Sequence, residues 1–113
     1  MPIRIGFSNH RRRLLEAELR RMASELPPLG VASVYLTGEF AVGRVDSDTG
    51  LEFVVVHDTD APFIARPDFF LSHLLPRVES RFIVYTPAEF EALKDTDLCL
   101  VRALQTGERI HAG

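Results

Sequence analysis

The sequence predicts an α/β protein of the α+β kind: a small sandwich with a mixed β-sheet and helices packed on it. Three observations carry that expectation. Leu15, Leu19, Met22 and Leu26 recur at helical spacing. Phe53, Val54, Val55 and Val56 follow one another without a polar break, the mark of a strand covered on both faces. Helix-like and strand-like segments then alternate to the end of the chain, as they do when layers of both share one core. The 113 residues are 46% hydrophobic and 26% charged and are read as one domain spanning residues 1–113. A chain of this size buries roughly two-thirds of its unfolded surface.

Each element has its own local reason. Ser8 or Asn9 can cap the first helix, accepting a bond from a free backbone N–H. Glu16 stands four residues before Arg20, a favourable helical pair. Pro27 and Pro28 stop the helix after Leu26, because a residue before proline is pushed out of the α region. Val31–Thr37 is rich in β-branched and aromatic residues and reads as a strand, ended by Gly38. Glu39–Val42 suits a single helical turn, with Glu39 favourable at its positive end. Arg44–Gly50 is polar and reads as a turn, and Leu51–His57 as the second strand. Asp58–Pro67 is a loop, and Asp68–Leu75 a helix with Phe69 or Phe70 turned inward. Arg81–Tyr85 is the third strand. Thr86-Pro87-Ala88-Glu89 is a helix start: a capping threonine, proline at the first helical position and a glutamate to complete a capping box. Asp97–Leu104 reads as the last helix, closed by Gly107, and Glu108–His111 as a short edge strand.

Composition excludes several classes. The lone cysteine, Cys99, rules out an intrachain disulfide framework and a cysteine-based zinc site. No apolar run approaches the roughly 20 residues of a membrane span, and Met1–Phe7 is too short and too charged for a secretory leader. A cytoplasmic protein with no membrane partner is expected. The net charge of −3 argues against nucleic acid held by bulk charge. His10, His57, His73 and His111 are scattered, without the i, i+4 spacing of a helical zinc site. His57 ends a strand and is the one candidate acid or base among them; a loop-edge histidine is the plainer reading. Cys99, within Leu98-Cys99-Leu100-Val101, reads as a buried inert thiol. The arginines at 11–13 and 20–21 are diluted by Glu16, Glu18 and Glu25 and read as a solvated helix face.

The most informative stretch is Leu36-Thr37-Gly38-Glu39-Phe40-Ala41-Val42-Gly43, followed by Thr49-Gly50-Leu51-Glu52-Phe53-Val54-Val55. A strand ends in glycine, a tight segment follows, and a second strand opens on an acid. This resembles the core of the DNA polymerase β-like nucleotidyltransferase superfamily, in particular its small stand-alone prokaryotic members. There the first strand ends in Gly-Ser and an Asp-x-Asp opens the next, after a spacing that residues 40–49 match here. The resemblance implies Mg²⁺ and a nucleoside triphosphate as cofactors of an active member. Hard cations take carboxylate oxygens, and alternate strand residues share a face. It implies nucleotide binding at Gly38, Glu39, Gly43 and Arg44, catalysis through Glu52, and metal binding by Glu52 with Asp48.

The chemical positions depart from that pattern. The family's serine is Glu39, its first aspartate Gly50, its second Glu52, and its third acid aligns with Arg81. Asp46-Ser47-Asp48 is itself Asp-x-Asp, but it precedes Thr49-Gly50 and reads as a turn using local backbone bonds. An Arg81–Glu52 pair would fill such a site with a salt bridge. Two readings result: a catalytically degenerate nucleotidyltransferase-like domain acting through a partner or a bound nucleotide, or an active transferase moving a nucleoside monophosphate onto a hydroxyl. The resemblance implies a helical partner protein; a homodimer and a purely structural module are the further alternatives.

Overall fold

The chain closes around β2 (Leu51–Val56). All of β2 is buried except Glu52, which is partly exposed. The strand pairs antiparallel with β1 (Ser33–Thr37) on one side and parallel with β3 (Ser80–Tyr85) on the other. β4 (Glu108–Ala112) pairs antiparallel with β1, so the four-stranded mixed sheet runs β3-β2-β1-β4. The computed structural model describes residues 2–112, with side chains from Asn9 to His111. The helices are α1 (Pro2–Glu25), α2 (Gly38–Ala41), α3 (Arg66–Leu74), α4 (Pro87–Leu93) and α5 (Leu98–Thr106). This is the small α+β sandwich that the periodicities predict.

Alternation along the strands sorts side chains to two faces. Val34, Leu36, Phe53, Val55, Phe82 and Val84 meet Leu15, Met22 and Leu26 from the α1 segment and Phe70 and Leu74 from α3. Phe82 stacks on both Phe53 and Phe70 with ring centroids 5.5 Å apart. On the other face Val54 and Tyr85 meet Leu100 and Ala103 of α5, with Phe90 of α4 beside them. Of the Phe69–Phe70 pair it is Phe70 that is buried. α4 carries the expected capping box: Thr86 Oγ1 accepts from Glu89 N, and Glu89 Oε1 accepts from Thr86 N at 2.9 Å.

Several boundaries differ from expectation. α1 begins ahead of Ser8 and Asn9, so neither stands at its end. Proline suits a first helical turn, whose N–H groups have no intrahelical partner, and the helix opens at Pro2. The same rule moves the start of α3 back to Arg66, with Pro67 in its first turn rather than in the loop. α5 begins at Leu98, with the Asp97 carboxylate accepting from Leu100 N at 3.1 Å as its cap. Ion pairs on α1 join Arg21 to Glu18 and Glu25, not Arg20 to Glu16. Glu18 faces inward and needs the partner more.

Two clamps tie helices to the sheet. Glu18 is 3% exposed. It accepts from Arg21 Nε at 2.8 Å and from the backbone N–H of Arg77 in the loop before β3. Arg66, also buried, donates to both Glu89 oxygens, to the Val84 carbonyl and to the Ala61 carbonyl. The Glu89 that caps α4 is therefore also tied to α3. Charged hydrogen bonds of this kind contribute about 1.5–3 kcal/mol each, and a buried charge without them is costly.

The Arg21 hydrogen bonds hold the Glu18 carboxyl below the ordinary glutamate range; burial opposes this and the Arg77 N–H assists it. A depressed folded pKa stabilises the fold above the unfolded value and ceases to do so as pH falls through the folded one. Glu18→Gln is expected to lower stability at neutral pH by about 1.5–3 kcal/mol. It should also flatten the loss of stability on acidification, as read from urea midpoints at neutral and acidic pH. An unchanged acid slope would contradict the clamp.

Candidate functional site

At the end of β1 the chain turns at Gly38 with φ +80°. A Cβ there would lie 3.2 Å from Glu52 Cβ and 3.5 Å from Glu52 Oε2, so glycine answers both a left-handed backbone and a close approach. The strand registers place Thr37 opposite Glu52 and Glu52 opposite Arg81. One row thus crosses three strands. Thr37 Oγ1 donates to Glu52 Oε2 at 2.8 Å. Arg81 reaches Glu52 Oε1 at 3.7 Å, but Arg81 is 76% exposed and the pair is screened by water.

A cleft of about 220 Å³ opens at this end of the sheet, lined by Gly38, Glu39, Asp48, Glu52, Glu79 and Arg81 among others. Four of the residues singled out in the sequence, Gly38, Glu39, Asp48 and Glu52, meet there. Gly43 and Arg44 do not line it. Gly43, at φ +84°, closes the short α2 in a left-handed turn, and the Arg44 N–H folds back to the Glu39 carbonyl at 2.9 Å. They belong to the turn after α2.

The segment before β2 is a turn, as its composition predicts. Asp46 Oδ1 accepts from Asp48 N at 2.8 Å and from Thr49 Oγ1 at 3.2 Å, so that carboxylate is occupied locally. The turn nevertheless brings Asp48 back to the cleft that Glu52 lines, which an extended reading of residues 48–52 would not. Arg11 Nε donates to the Thr49 carbonyl at 2.9 Å, so this arginine of the basic cluster anchors α1 to the turn. Glu79 was not legible as a cleft residue. It precedes a strand and carries no motif; only the parallel β2–β3 register, with Leu51 N donating to the Glu79 carbonyl at 2.9 Å, brings it there.

The donor set does not fit a pair of Mg²⁺ ions. At Gly50, where the resemblance places the first metal-binding acid, a Cβ would run into the Glu79 carbonyl. Arg81, a cation, stands at the third position. Among the described residues no three His, Cys, Asp or Glu side chains converge as a metal site.

Beyond Glu52 a second hollow of about 400 Å³ continues toward α5, lined by Thr37, Gly38, Glu52, Cys99, Arg102 and Thr106 among others. Burial pushes the Cys99 thiol up, away from the thiolate a nucleophile needs. Burial, with Cys99 and Asp97 nearby, likewise raises the Tyr85 phenol. His57 lies at the other end of β2 from Glu52, about 16 Å away along the strand, so it is not an acid or base of this cleft. Its ring packs against both Phe69 and Phe70, with centroids 5.4 Å from each.

Comparison of the chain with protein-family models, with curated proteins and with solved structures gives no match.

Gly50→Ala is expected to lower stability by about 1–3 kcal/mol through overpacking against the Glu79 backbone, as measured by urea unfolding. Glu52→Gln, at a partly exposed site, is expected to stay within about 1 kcal/mol of the parent. A Gly50→Ala variant as stable as the parent would show that this turn has room for a side chain.

Proposed function

We propose that this domain is a nucleotidyltransferase-like scaffold that acts by binding and does not transfer nucleotides. The family reading is supported by the row Thr37-Gly38, Glu52 and Arg81, which brings to one strand end the three positions that the resemblance pairs. The loss of chemistry is supported by what fills them. Metal-assisted transfer needs carboxylates that hold cations between the attacking oxygen and the triphosphate. Only Glu52 stands at such a position here, engaged by Thr37 and faced by Arg81.

The observation that carries the reading is the sign of the cleft. Glu39, Asp48, Glu52 and Glu79 line it against the single cation Arg81. A triphosphate without metal would enter a cleft whose ionisable lining is four acids and one arginine, and like charges in a concave site repel it. A binding role then falls to a partner of opposite or neutral character.

The melting temperature of the chain, followed with ATP alone and with ATP and Mg²⁺, tests this directly. No shift beyond about 1 °C is expected in either case, since a ligand at many times its Kd would stabilise by several kcal/mol. A Mg²⁺-dependent rise abolished by Glu52→Gln would show a metal-nucleotide site and overturn the reading of the cleft as closed to triphosphates.

A further inference from the structure

β3 lies at an edge of the sheet and pairs with β2 alone. The Glu79 and Tyr85 carbonyls point to the β2 side, where they accept from Leu51 N and His57 N at 2.9 Å. Successive residues of a strand turn their backbone groups to opposite sides, so those of Ser80, Phe82 and Val84 face outward. Arg66 Nη1 occupies the Val84 carbonyl at 3.1 Å. Among the described residues no other backbone group pairs with the outward side of Ser80 and Phe82.

A groove of about 690 Å³ runs along this edge, walled by Phe63, Ile64 and Leu71 and floored by residues 80–85. Its walls are apolar yet open: Phe63 is 52% exposed and Ile64 88%. Glu79 and Arg81 line both this groove and the acidic cleft, so the one runs into the other.

We propose that the β3 edge binds an extended peptide of a partner protein. The peptide adds a strand, sets alternate apolar side chains against Phe63, Ile64 and Leu71, and carries Lys or Arg residues at the end over Glu79. Open N–H and C=O groups beside an apolar groove define the backbone form of the occupant, as in strand addition generally. Four carboxylates against one arginine at the cleft end define its charge. Antiparallel pairing, the slightly more stable kind, places the basic residues at the C-terminal end of the peptide. The inference rests on the binding role proposed above and names the partner chemistry of that role.

The probe is a fluorescent synthetic peptide of alternating valine and threonine ending in two lysines, titrated against the full chain by anisotropy. Saturable binding is expected. Ile64→Asp, which alters an exposed wall, should weaken it about tenfold or more. Glu79→Lys should weaken it severalfold and restore affinity for a peptide ending in glutamates. Methylating alternate peptide nitrogens should abolish binding, because the strand bonds are lost. No saturable binding, or binding that N-methylation leaves unchanged, overturns the proposal. So does a concentration-dependent dimer in sedimentation that Ile64→Asp dissociates, which would assign the groove to a second copy of the chain. Failure of the peptide leaves the ATP and Mg²⁺ melting result as it stands, so the two readings fail separately.

Discussion

The rest of the structure depends on β2 being buried on both faces. Phe53, Val54 and Val55 have no exposed surface, and each such side chain contributes about 1.5–3 kcal/mol relative to exposure. A strand this apolar has to lie inside the sheet, so it is paired on both edges and covered on both sides. Its register is then set, because a slip of one residue would exchange the two faces and drive Glu52 into the α1–α3 core. With the register set, Glu52 must fall between Thr37 and Arg81. The electrostatics of the cleft follow from a packing constraint.

The ionisable groups that are buried serve the scaffold. Glu18 with Arg21, and Arg66 with Glu89, tie α1, α3 and α4 to the loop before β3 and to its end. Arg66 also occupies the Val84 carbonyl at the free sheet edge, shortening the stretch on which another strand could pair. The first clamp ends on Arg77, two residues before Glu79, so a structural charge and the charges of the cleft share the start of β3.

Order and type of the elements were legible because each rests on a local pattern. The capping box of Thr86-Pro87-Ala88-Glu89 and the apolar stripe of α1 need only neighbouring residues, and both appear where expected. The family resemblance, not spacing alone, grouped Gly38, Glu39, Asp48 and Glu52, and all four line the cleft. What escaped depends on long-range pairing. Glu79 enters the cleft only through the parallel β2–β3 register. Arg11 reads as surface charge until the Thr49 carbonyl is seen beneath it. The apolar edge groove follows from β3 being outermost, a fact of strand order that no local pattern encodes.

Together these features describe a sheet end lined by Glu39, Asp48, Glu52 and Glu79 beside Arg81. The role proposed for that end is to hold a partner. The most direct measurement is an amide chemical-shift map of the labelled chain titrated with ATP and Mg²⁺. The Gly38, Glu52 and Arg81 resonances are expected to stay in place. Saturable shifts confined to those residues, and lost in Glu52→Gln, would contradict that expectation.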